Sequence, residues 1–152
     1  EYKVGSVLDK QLFVSNQFDI SFLTGVHSIF DDFEEVFDNL INWTNEGGKI
    51  IITGIFNPFP IDVFIKYRES TNYNSEFMES GWNIFSIESV SNFLKNKSKI
   101  KSFEFLKFNI ELDLPKQKDK VRSWTFKDSN KNRIITNGLS ILQNHFTLII
   151  NL

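Results

Sequence analysis

An α/β fold with a partly parallel sheet is predicted by three features: an apolar run at Phe18–Thr24, an amphipathic pattern after it, and a second apolar run at residues 49–55. Runs with little polar alternation suit strands covered on both faces by helices. The connection between them has room for a helical crossover, which makes the two strands parallel and the connection right-handed.

The first strand stops at Thr24-Gly25. The helix is signalled by Asp31 or Asp32 as N-cap and by Glu34 and Glu35, whose carboxylates suit the positive end of the helix dipole. Phe33, Val36, Phe37, Leu40 and Ile41 fall on one face at helical spacing. The segment Asn45-Glu46-Gly47-Gly48 supplies residues that tolerate left-handed backbone and marks the helix end, before the isoleucine-rich strand 49–55. Ligands of open sheets bind beyond the carboxyl ends of the strands, which here are residues 24–27 and 55–57.

Pro58 and Pro60 lack the amide donor that a central strand needs, so residues 56–60 are expected to form a rim loop. A short helix at 61–67, with Asp62 near its start, and a polar loop at 68–74 follow. The next helix has clearer signals: Ser86 as N-cap, Glu88 in the first turn, and Lys95 and Lys97 toward the negative end. Its apolar face is Ile87, Val90, Phe93 and Leu94, which predicts packing on the sheet. Residues 100–114 alternate well enough for a long strand, 115–120 form a charged loop, and 121–126 a short strand or flap. Asn137-Gly138 is a hairpin-type dipeptide, and residues 145–152 make a strong final strand. No repeat or linker interrupts the chain, so residues 1–152 are expected to form a single domain.

The 152 residues are 41% hydrophobic and 24% charged, a globular composition with material for one core. A net charge of -2 makes no electrostatic case for nucleic acid or membrane partners. The absence of cysteine excludes disulfides and thiolate metal sites in the chain and fits a reducing, cytoplasmic setting. Phenylalanine, with 17 copies, far outnumbers the three tyrosines. No apolar run approaches the roughly 20 residues needed to span a bilayer.

The order Phe18-Asp19, apolar strand, Gly25-Val26-His27-Ser28-Ile29, Asp31-Asp32, amphipathic helix, Gly47-Gly48-Lys49 and apolar strand resembles the fourth through fifth strands of class I S-adenosylmethionine-dependent methyltransferases. The resemblance covers about the first 57 residues and continues as architecture beyond them. It implies a Rossmann-like methyltransferase sheet, incomplete at the N-terminus, in which parallel strands are followed by an antiparallel C-terminal strand pair. It also implies S-adenosyl-L-methionine as cofactor, with Thr24, Gly25 and Val26 along its edge. Where the family usually has a Gly-Asp pair for the adenine amino group, this chain has Gly5-Ser6; either Ser6 takes the acid's place or Asp9 reaches round to it.

The glycine-rich turn that holds the methionine end in such enzymes has no counterpart, because no G-x-G pattern occurs in the chain. The chain is therefore expected to be a C-terminal portion whose N-terminal cofactor-binding motif lies outside it, and to lack a complete cofactor site of its own. Exposed sheet edges should then pair with the missing N-terminal half or with another copy.

In methyl transfer the sulfonium methyl is already electrophilic, so the protein mainly aligns the acceptor and excludes water. For a hydroxyl acceptor, His27 just beyond the first strand is the candidate base, its alternative being a packed residue at the helix start. Asn57, Tyr67, Arg68, Trp82, Arg122 and Trp124 are candidates for a small-molecule acceptor pocket, since tryptophans give rigid apolar walls and arginines clamp anions. The alternative for the tryptophans is core filling. Asp31, Asp32, Glu34 and Glu35 are better explained by the helix dipole than as metal ligands. A catalytically inactive methyltransferase-like interaction or scaffold domain is the second functional expectation.

Overall fold

The computed structural model describes residues 2–152. Its strands are β1 Phe18–Thr24, β2 Thr44–Asn57, β3 Lys66–Tyr67, β4 Glu79–Ser80, β5 Phe85–Ser86, β6 Ser102–Lys107, β7 Trp124–Lys127, β8 Arg133–Thr136 and β9 His145–Asn151. The helices are α1 Glu34–Trp43 and α2 Ile87–Lys95. The main sheet has the order β1-β2-β9-β6, and β5 adds a short parallel pairing at Phe56 and Asn57. β1 and β2 are parallel, as the crossover length predicts, and β9 lies antiparallel between β2 and β6.

Alternation within the strands separates two faces. Ser21, Ile50, Ile150 and Phe103 make one cross-sheet row, and Phe22, Ile51, Ile149 and Glu104 the next. The first parity, with Leu23, Ile52 and Leu148, joins one core with Val36, Phe37, Leu40, Val90, Phe93 and Leu94 from both helices. Each fully buried side chain of this kind contributes roughly 1.5–3 kcal/mol. The second parity has no helix over it: Ile20 is 52% exposed and Phe22 65%. β1 pairs on one side only, with β2, so its other edge is open among the described residues.

Several boundaries depart from the sequence expectation, each for a physical reason. β2 begins at Thr44, so Gly47-Gly48 lies inside the strand instead of at a helix end. Gly47 takes φ +78, and a Cβ on Gly48 would stand 2.8 Å from the Asp19 carbonyl, so a register shift near Phe18 and Ile20 is built around the pair. The residue capping α1 is Phe33, while Asp32 accepts the Glu34 amide at 2.8 Å and Asp31 turns elsewhere. Residues 61–67 form no helix. Val63 bridges to Ile84, and the Asp62 carboxylate is taken up by the start of α2, where it accepts from the Ser86 amide and the Ser89 hydroxyl. The long strand expected over 100–114 stops at Lys107, because its partner β9 begins at His145 and offers no further ladder. Ser86 does cap α2, accepting the Ser89 amide at 3.0 Å. No helix among the described residues is long and apolar enough to cross a membrane.

Candidate functional site

At the carboxyl edge of the parallel pair, the Gly25 amide donates to the Thr53 carbonyl at 2.8 Å and the chain turns away with φ +68 at Gly25. A Cβ at Gly25 would meet nothing within 4 Å, and Thr24 and Gly25 are exposed, so this rim is open. Val26 is half-buried beside them. The next residue points inward. His27 is fully buried, its ring stacked on Phe56 with centroids 4.6 Å apart.

Burial holds the His27 imidazole neutral, with its pKa lowered to about 4; a hydrogen bond to the Ile55 carbonyl opposes the shift and the charge of His145 adds to it. Nε2 lies 3.3 Å from that carbonyl and Nδ1 has no partner. A base must reach the proton that it removes, and this side chain has no accessible nitrogen in the structure. The structure thus places His27 beneath the rim, where sequence reasoning expected it upon the rim.

Ser6 and Asp9 form an exposed turn of their own. The Asp9 amide donates to the Ser6 carbonyl at 3.0 Å, and the Asp9 carboxylate accepts from the Gln11 amide at 2.9 Å. Their segment is held to the flank of α1 by Asn39, which donates to the Val7 carbonyl at 2.8 Å. Among the described residues no hydrogen bond joins Ser6 or Asp9 to Thr24, Gly25 or Val26.

Three of the six candidate acceptor residues do meet. Tyr67, Trp82 and Arg122 line one cavity of about 1200 Å³, together with Glu69, Glu79, Lys118 and Lys120. One wall is the β3–β4 ribbon and the other is the loop of residues 114–123. The other three candidates are otherwise employed. Asn57 spans its rim loop, accepting from the Phe59 amide and donating to the Ile61 carbonyl. Arg68 donates to the Ser75 carbonyl at 3.0 Å, and Trp124 on β7 carries the Lys116 ammonium 4.8 Å from its ring centre.

Sequence reasoning missed Asn83, the residue that connects rim and cavity. It is fully buried; its side chain accepts from the Ile65 amide at 2.9 Å and donates to the Phe30 carbonyl at 2.8 Å and to Asp31 at 2.9 Å. Its amide donates to the Ser28 carbonyl. The segment after β1 is thereby fastened to the strand entering the ribbon. Lys66, which pairs with Asp31 at 3.0 Å and donates to Ser80, adds a second tie. The hydrogen bonds of Lys66 and Asn83 hold the Asp31 carboxyl below its usual range. An asparagine followed by a strand offers no sequence signal for such a role; only the fold brings its partners together.

No protein-family model matches the chain, and no curated protein matches it in sequence. Solved structures do match in shape. A SAM-dependent methyltransferase from Methanosarcina mazei superposes over 100% of this chain and 67% of its own, with a TM-score of 0.53 and 13% identity. The YcgJ protein of Bacillus subtilis does so over 99% and 70%, at 0.56 and 11%. A SAM-dependent methyltransferase from Archaeoglobus fulgidus covers 99% and 66%, at 0.54 and 9%. This chain therefore spans about two thirds of the length of those structures, and its α/β sheet, with β9 set antiparallel beside the parallel pair, is the class I S-adenosylmethionine-dependent methyltransferase fold.

Proposed function

We propose that this chain forms the acceptor-binding part of an S-adenosylmethionine-dependent methyltransferase acting on a small molecule. The observation that carries the reading is the sheet: β1 and β2 run parallel toward one open rim, and β9 runs back between β2 and β6. The residues present fit one end of the methyl donor. Thr24 and Gly25, with the half-buried Val26 beside them, offer an exposed backbone edge with free space over Gly25, which suits a flat adenine ring.

The amino-acid end of the donor has no glycine-rich turn to meet in this chain. We assign that part of the site to an N-terminal half outside these residues or, failing that, to a second copy. The open edge of β1 and the exposed Ile20 and Phe22 support a partner there, since uncovered apolar strand edges are otherwise prone to aggregation.

The bound donor supplies an electrophilic methyl group. The chain's own residues hold the acceptor between the ribbon and the 114–123 loop and limit the water around it. His27, neutral and buried, supports the rim from below instead of touching the acceptor. Gly5-Ser6 in place of the family's Gly-Asp favours the second reading, a scaffold domain that binds no donor. Calorimetry on the native protein separates the two. Binding of the methyl donor and its demethylated product supports the transferase, whereas a folded protein giving no heat with either leaves the scaffold.

A further inference from the structure

The cavity has an uneven distribution of charge. Tyr67 donates to Glu79 at 2.8 Å, which raises the phenol's pKa; desolvation and the charges of Glu79, Asp119 and Glu69 push the same way. One tyrosine thus stands in the field of three carboxylates, with the half-buried Trp82 in the same cavity. Carboxylates beside aromatic faces are the surroundings in which an ammonium group is held best.

The cavity also contains cations. Lys118, Lys120 and Arg122 come from the facing loop, and only Arg122 has an ion pair among the described residues, with Asp119 at 3.7 Å. The loop is fixed in place. The Gly138 amide donates to the Lys120 carbonyl at 2.7 Å, Asn137 donates to the Val121 carbonyl at 3.0 Å, and Ser123 donates to Gln143 at 2.7 Å. A Cβ at Gly138 would collide with that Lys120 carbonyl, so the glycine is what allows the close approach. Two lysines without ion pairs on a fixed loop that also carries Asp119, facing Glu69 and Glu79 on the ribbon side of the cavity, suit a ligand with a charge at each end.

We propose that the acceptor is a bipolar small molecule, its amine held by Tyr67, Glu79 and Trp82 and its anionic group by Lys118 and Lys120. The proposal rests on the acceptor reading of this cavity, yet it concerns binding alone and needs no methyl donor.

Matched probes test it: 4-(aminomethyl)benzoate, which carries both charges on one flat ring, against benzylamine and benzoate, which carry one each. Titrations of the native protein, followed by calorimetry and tryptophan fluorescence, should show the zwitterion binding at least about tenfold tighter than either control, the gain expected of one added charge-assisted contact. E79Q should weaken the zwitterion and benzylamine but leave benzoate unchanged. K118Q with K120Q should weaken the zwitterion and benzoate but leave benzylamine unchanged. Circular dichroism checks that each variant folds, and E69Q serves if E79Q does not. Equal binding of all three probes, no binding of any, or variants that weaken every probe alike would overturn the proposal. Zwitterion preference in a protein that binds no methyl donor would keep this inference and sink the transferase; donor binding without charge preference would do the reverse.

Discussion

The imidazole of His27 lies on the ring of Phe56 with an interplanar angle of 15° and a centroid separation of 4.6 Å. Phe37 and Phe85 close two further sides, and Gly54 lies directly against the ring, so close that any Cβ there would overlap it. The buried histidine and the glycine of β2 are one packing unit.

That unit should make the protein acid-sensitive. The folded pKa of His27 is depressed to about 4 from 6.5, so the stability it confers is fully present above pH 6.5 and is lost as the pH falls toward 4. The loss is about 3 kcal/mol by linkage. Burial lowers the pKa of His145 too, which adds to the loss with the same sign. Urea midpoints measured at pH 7.5 and 4.5 should differ accordingly, and His27→Phe should remove most of the difference. A pH-independent midpoint in the wild type would contradict the burial of His27.

Gly54→Ala has the opposite logic, adding volume where the ring already sits. Overpacking of this kind costs typically 1–3 kcal/mol. Thermal unfolding should record the drop in Gly54→Ala, and the double variant with His27→Ala should recover part of it. Strict additivity of the two would separate the residues energetically.

Asn83 joins the β1 rim to the ribbon through three side-chain hydrogen bonds. Asn83→Ala leaves the Ile65 amide and the Phe30 carbonyl without these partners, at roughly 1–3 kcal/mol for each buried group left unsatisfied. Hydrogen exchange should speed up at Ile65 and Gly81, whose amide donates to the Ile65 carbonyl, while the β2–β9 ladder keeps its protection. Faster exchange throughout the sheet would show that Asn83 supports the whole core instead.

Asp62 accepts from the Ser86 amide at 2.5 Å and from the Ser89 hydroxyl at 2.7 Å, so it braces the cap that Ser86 makes at α2. Ser86→Ala should cost about 1 kcal/mol, the usual worth of an N-cap. Asp62→Ala should cost a similar amount or more, and the double variant less than the sum because the two share one network. Denaturant titrations of the three proteins check this.

The parallel strands, both helices and the antiparallel final strand were legible in the sequence because each has its own period and end signals: Phe18–Thr24 is a mostly apolar run, Ser86 and Glu88 announce α2, and His145 begins a strong apolar strand. What was illegible depended on partners far along the chain. The helix expected over 61–67 gives way to pairing with Ile84 and Ser80, and the strand expected to reach 114 ends opposite the start of β9. Tyr67, Trp82 and Arg122 were identified by residue type and meet in one cavity. Glu79, Lys118 and Lys120 were not, since isolated charges in polar loops look like solvated surface until the fold sets them face to face.

The central claim is that the open rim at Thr24, Gly25 and Val26 receives the methyl donor. Ultraviolet cross-linking of methyl-labelled S-adenosylmethionine to the native protein, followed by peptide mapping, tests it most directly. The account predicts label on the peptide containing Thr24, Gly25 and Val26, suppressed by excess demethylated product. Label confined to other peptides, or none that the product can suppress, would contradict it.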